Sequence, residues 1–249
     1  FLAAAVLCSL FTASPVWAAS LTTTSTVKES NTPDTPYSKI TVVGTGLAYG
    51  IHSTDGDLTV YVTGDNVLAI TANNIAGIAV AEGVRSENYP NNTYVKGTLS
   101  GDVEATGGID DKYANSGVGT ATASTYAGAY GVGSDIDKKK SKIYCETIGN
   151  LTVTAKGGTS IGGTVTSNSS ASANTEAWAA AKGLCDVVQT NDIGKLTITA
   201  TGGTATAGNA TCTDANGSAI AYASAGADVY GIAAFSDEAK TYGNVQGMT

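Results

Sequence analysis

The chain has 249 residues, of which 31 are Gly, only 7% are aromatic and 14% are charged, and its formal net charge is -8. So much Gly and so little charge exclude a compact helical enzyme, because Gly is a poor helix former and charged residues usually make up about a quarter of a domain. The acidic balance also excludes nucleic acid and anionic membrane surfaces as partners, since both demand clustered Lys and Arg.

The chain opens with FLAAAVLCSLFTASPVWAAS. An apolar run to about Thr12, a helix-breaking Pro15 and the residues Val16 and Ala18 read as the apolar segment and cleavage site of a secretory signal, cut after Ala18. Ser9, Thr12, Ser14 and Pro15 interrupt the run too often for a transmembrane helix. With no initiating Met and no basic segment ahead of it, the signal over residues 1–18 is expected to be incomplete. Cys8 leaves with it. Cys145, Cys185 and Cys212 remain, an odd number without the spacing of a metal site, and they read as small buried side chains or as one bridge plus a free thiol. Residues 19–39 are rich in Thr, Ser and Pro and read as an extended leader or cap.

Repetition begins at residue 40. IGNLTVTAKGGT at 148–159 returns as IGKLTITATGGT at 193–204. Aligned on the closing glycine, DLTVYVTG (Gly64), DVEATGG (Gly107), LTVTAKGG (Gly157) and LTITATGG (Gly202) step by 43, 50 and 45 residues. A further start, YGNVQG at 242–247, suggests that the sequence stops inside a unit. A second motif falls between the first: AYGI at 48–51, AGIAV at 76–80, AYGV at 129–132, AKGL at 181–184 and VYGI at 229–232.

In this register Leu58, Leu151 and Leu196 share a position, as do Val60, Val103, Val153 and Ile198, then Val62, Ala105, Ala155 and Ala200. Thr59, Thr152 and Thr197 face the other way, as period-two alternation requires. The second copy is one residue short and places Gly101 or Asp102 where Leu belongs. Stacked copies would turn each apolar position into a ladder, which a single unit with so thin a face could not bury alone. The Gly-Gly corners are expected to turn on positive φ. Strands of about five residues make coils of about 20, so each unit is expected to hold two coils.

The expected fold is therefore all-β, a right-handed parallel β-helix built from imperfect repeats of about 46 residues over 40–249. A propeller has a similar period, but only two Trp and no Trp-Asp signature argue against it.

Chemistry is sparse. Asp55 with Asp57, Asp110 with Asp111, and Asp135 with Asp137 sit in turn-like sequence, where Asp serves local hydrogen bonding more readily than paired acid and base work. GGIDDKYAN at 107–115 lacks the glycine-rich nonapeptide of calcium-binding β-rolls. His52, the single histidine, has no Gly-x-Ser-x-Gly elbow to serve and reads as a loop residue. Lys138, Lys139, Lys140 and Lys142 form a basic insertion without interleaved aromatics, a solvated loop. Tyr49, Tyr130 and Tyr230 recur before the motif glycine, either as a carbohydrate strip or as stacking inside the solenoid. Acceptor sequons at Asn91, Asn150, Asn168, Asn209 and Asn216 are what an Asn, Ser and Thr rich chain yields by chance. No catalytic, cofactor-binding or metal residue is assigned, and no cofactor.

With its export signal, acidic composition and imperfect I-G-x-L-T-V-T-A-x-G-G-T strands partnered by A-Y-G-I, the chain over about 40–249 resembles the passenger region of bacterial autotransporters and related repeat adhesins. The resemblance implies a non-catalytic protein at the surface of a Gram-negative cell, carried outward by a C-terminal outer-membrane barrel and meeting a host or cell-surface ligand such as a glycan. On the same fold, a polysaccharide lyase or glycoside hydrolase is the alternative function, and a structural spacer the second.

Overall fold

The computed structural model describes residues 19–74, 77–87, 91–111, 115–116, 119–133, 141–185, 187–233 and 244–248. The signal segment and the lysines at 138–140 lie outside them, as do Asp135 and Asp137. Nineteen strands and no helix occur among the described residues. The first turns carry β1 (Leu21–Thr23), β2 (Tyr37–Thr45) and β3 (Leu47–Ser53), then β4 (Leu58–Tyr61), β5 (Leu68–Asn73) and β6 (Ile78–Ser86). The third full turn holds β7 (Thr93–Thr106), β8 (Ile109–Asp110), β9 (Asn115–Ser116) and β10 (Thr120–Val132). The fourth holds β11 (Lys142–Lys156), β12 (Thr159–Ile161), β13 (Thr164–Ser167) and β14 (Ser170–Cys185). The fifth holds β15 (Val187–Thr201), β16 (Thr204–Thr206), β17 (Asn209–Cys212) and β18 (Ser218–Ala233), and β19 (Asn244–Met248) opens a sixth.

Among the described residues every strand pairing is parallel, and the strands line up in four sheets along one axis. The largest runs β1-β2-β5-β7-β11-β15-β19 with β4 also on β7, and the second runs β18-β14-β10-β6-β3. Two three-stranded sheets, β16-β12-β8 and β17-β13-β9, close the later turns. This is a parallel β-solenoid, the all-β class that the repeat predicts.

Its coils are larger than the strand-length argument allows. Leu151 pairs with Leu196 and Val153 with Ile198, so one 45-residue unit is a single turn and not two. The tracts between motifs explain the difference. Their alternation of small and polar residues continues as strand, which makes β14 and β18 each 16 residues long.

The register of the first unit is also corrected. Ile40 pairs with Leu68, Leu68 with Gly101 and Gly101 with Leu151, so the ladder position belongs to Leu68, Ile70 and Ala72. Leu58 and Val60 pair instead with Thr93 and Val95. On the second sheet AEGV at 81–84, not AGIAV, partners the motif, because Ala81 pairs with both Ala48 and Ala129. Gly101, rather than Asp102, takes the Leu position, with a φ of 127° and no room for a Cβ beside the Leu68 carbonyl.

The core lies between the two large sheets. Leu68, Ile70, Val103, Leu151, Val153, Leu196 and Ile198 project from one and Ala81, Ala129, Ala181, Val84, Val132 and Leu184 from the other, all in one buried cluster. Large residues face small ones, so a chain rich in Ala still fills the space between sheets. The motif glycines make this possible. A Cβ on Gly131 would lie 2.5 Å from the Gly183 carbonyl oxygen and 2.6 Å from Leu151 Cδ2, and Gly50 and Gly183 are equally crowded by the next turn. The Gly-Gly corners work the same way: Gly107, Gly157 and Gly202 are not among the positive-φ residues, and a Cβ on Gly157 would strike Gly203 of the next turn. Coil-to-coil approach, not left-handed backbone, selects glycine there.

Candidate functional site

The turn aspartates bond partly within the turn, as the sequence predicts for Asp55, and partly to residues far along the chain, 35 residues away for Asp57 and 14 for Asp110. Thr54 donates to the Asp55 carboxylate at 3.3 Å, Asp57 accepts the Asn92 N–H at 2.8 Å, and Asp110 accepts the Ser124 N–H at 2.8 Å. No disulfide joins Cys145, Cys185 and Cys212, and the first two are buried. Burial pushes the Cys145 thiol up to about 12, which keeps it protonated and unreactive.

His52 is not in a loop. It lies on β3 and is buried, with Nε2 3.3 Å from the Glu87 carboxylate and its ring 4.7 Å from that of Tyr49. Arg85 pairs with Glu82 at 2.9 Å and also with Glu87, and its guanidinium sits 5.1 Å from the Tyr49 ring. Burial holds the His52 pKa below its ordinary value, against the pull of Glu87, and raises that of the Tyr49 phenol.

Tyr49, Tyr130 and Tyr230 share one column of the second sheet, but Glu82 and Lys182 alternate with them. Tyr130 is 1% exposed, and its hydroxyl lies 2.6 Å from that of Tyr126. The Lys182 ammonium lies 5.7 Å from the Tyr130 ring and 5.1 Å from the Tyr230 ring. Stacking within the solenoid therefore accounts for these tyrosines; with Tyr130 buried they do not form a continuous sugar-binding strip.

An open concave surface lies on the first sheet, where no site residue was expected from sequence. An open cleft of about 510 Å³ is lined by Asp65, Asn66, Thr98, Ser100, Asn150 and Asp192, with Gly149 and Gly194 on its floor. Thr98, Thr147 and Asp192 are register partners and form one wall across three successive turns. A second depression of about 450 Å³ adjoins it, formed by Lys96, Tyr144, Glu146, Gln189 and Asn191.

Both concavities have one cause in the chain. Between Cys145 and Thr147 the β7 strand carries an extra residue at its positive-φ Gly97, and between Ile148 and Leu151 the β11 strand carries one at Gly149-Asn150. Such bulges kink a strand and redirect side chains. The shape is held by polar contacts: the Glu146 carboxylate accepts the Gly97 N–H at 2.9 Å, and Ser100 Oγ accepts the Asn66 N–H at 2.9 Å. Asn150 Oδ1 accepts the Lys195 N–H at 3.3 Å, so the bulge is copied into the next turn. A Cβ on Gly149 would lie 2.8 Å from Thr98 Cγ2, which keeps the floor as bare backbone.

Asp65 and Asp192 stand three turns apart, about 14 Å at ~4.8 Å per strand. That exceeds the separation of a paired acid and base, about 5 to 9.5 Å. Among the described residues no group of three or more His, Cys, Asp and Glu side chains is placed to hold a metal ion. The cleft offers hydroxyls, amides and two separated carboxylates in a line along the axis. Only Asn150 was singled out in the sequence, as part of a sequon; the available signal was the Gly-Asn or Gly-Lys pair that opens each repeated strand. No protein-family model matches the chain, and neither a curated protein nor a solved structure is significantly similar to it.

Proposed function

We propose that this chain is the non-catalytic, exported passenger or adhesin part of a surface protein of the autotransporter type. The observation that carries the reading is the solenoid itself: successive turns place Thr152 beside Thr197 and Thr154 beside Thr199 on the outward side of the strands. Adding turns multiplies such rows without new design, and repeated weak contacts from a rigid stack sum to firm attachment. The apolar leader ending at Ala18 supports export. A membrane barrel downstream would provide display, and the ligand would be a glycan or other component of a host or cell surface.

The test uses the full-length gene expressed in Gram-negative cells, with an antibody raised against the solenoid. External protease on intact cells is expected to remove the solenoid while a periplasmic control protein survives. Survival of the solenoid until the outer membrane is permeabilised would overturn the proposal.

A further inference from the structure

Resting on that reading, the cleft on the first sheet names a ligand class. We infer that it is a binding groove for an extended, neutral polysaccharide lying along the solenoid axis.

The chemistry narrows the ligand by elimination. Asp65 and Asp192 line the cleft and Glu146 stands in the adjoining depression, three carboxylates against the ammonium groups of Lys96 and of Lys39, which donates to the Asn66 carbonyl at 2.8 Å. An anionic polymer is repelled by that balance and by the net charge of -8. An apolar ligand finds no match for Asn66, Thr98, Ser100 and Asn150, whose polar groups would lose water without replacement. A single cation cannot bridge carboxylates about 14 Å apart. What remains is an elongated molecule, uncharged and dense in hydroxyl groups.

The spacing agrees. The groove presents Asp65 with Asn66, then Thr98 with Ser100, then Thr147 with Asn150, then Asp192, one set for each turn of ~4.8 Å, with Thr98, Thr147 and Asp192 in one column. Pyranose rings in an extended chain recur at a similar distance, so each ring meets a fresh set of hydrogen-bonding partners. Carboxylate and amide oxygens accept from sugar hydroxyls, while amide and hydroxyl groups donate to them. The arrangement is preformed: backbone hydrogen bonds hold Ser100 and Asn150, and the glycine floor lets a ring approach the strands. Little ordering therefore opposes binding.

Affinity electrophoresis of the full 249-residue chain tests this. The gels contain hydroxyethyl cellulose or galactomannan as neutral polymers, or alginate as an anionic one. Retardation by at least one neutral polymer and none by alginate is expected. The double variant Asp65→Ala, Asp192→Ala, which removes both cleft carboxylates, is expected to weaken that retardation at least tenfold, with its circular dichroism and melting temperature close to the parent. Thr204→Ala with Thr206→Ala, exposed on β16 and outside the groove, is expected to leave it unchanged. Absence of retardation in both neutral gels overturns the groove assignment, as does equal retardation of the groove variant. Either outcome is separable from the protease experiment, which reports display alone.

Discussion

His52 shows how one residue reports on its surroundings. Taken from water onto β3 beside Val27, whose carbonyl accepts the His52 N–H at 2.9 Å, the imidazole faces Glu87, Arg85 and Tyr49. Burial outweighs the attraction of Glu87 and lowers its pKa from the ordinary 6.5. A histidine lowered in the folded state binds a proton more readily when unfolded. Its contribution is therefore complete above about pH 6.5 and is lost as pH falls through the lowered folded value. Melting curves from pH 7 to pH 4.5 should show a smaller loss of stability for His52→Gln than for the parent. Identical slopes would show that His52 is not a source of acid sensitivity. The sequence marked this histidine as a loop residue because nothing local to AYGIHS says that the strand continues under cover.

At the scale of the strand, the ladder explains why nearly the same twelve residues appear twice. Leu151 is 1% exposed and packs between the positions held by Gly101 and Leu196, whereas Thr152 lies on the outward side of the same strand. Leu151→Ala leaves a cavity that neighbouring turns cannot fill, and about 2 to 5 kcal/mol of stability should disappear. Thr152→Ala should change it by about 0.5 kcal/mol or less. Denaturant titration of the two variants measures both values, and similar losses would refute the assigned strand faces. The alternation was legible from the sequence for 151–156 and 196–201. It misled at residues 58–62, because DLTVYVTG has the right pattern but lies on β4, while LAITAN at 68–73 occupies the ladder.

At the scale of the molecule, stability comes from contacts between neighbouring turns, so a whole turn is the natural unit of change. Deleting residues 151–195 joins Asn150 to Leu196 and sets Ile198 where Val153 stood, against Val103. The shortened chain is expected to keep its β circular dichroism and a cooperative melt. Deleting only residues 151–173, about half a unit, should abolish both, because half a turn cannot restore the register. If the shorter deletion folds and the longer does not, a unit holds more than one coil.

The sequence by itself determined the class and the ladder, because parallel stacking repeats each apolar position at the length of a turn and so leaves a period that can be read along the chain. The tertiary structure decided how large each turn is. Pairings of Ile40 with Leu68 and of Leu68 with Gly101 advance by 28 and 33 residues before the later steps of 50 and 45. Among the described residues the early turns carry no strand of the two small sheets, so no constant period runs through them. It also decided the groove, since Asp65, Ser100, Asn150 and Asp192 come from four turns and line one cleft at the opposite bulges of β7 and β11. A bulge is a mismatch between two strands, and neither strand alone records it.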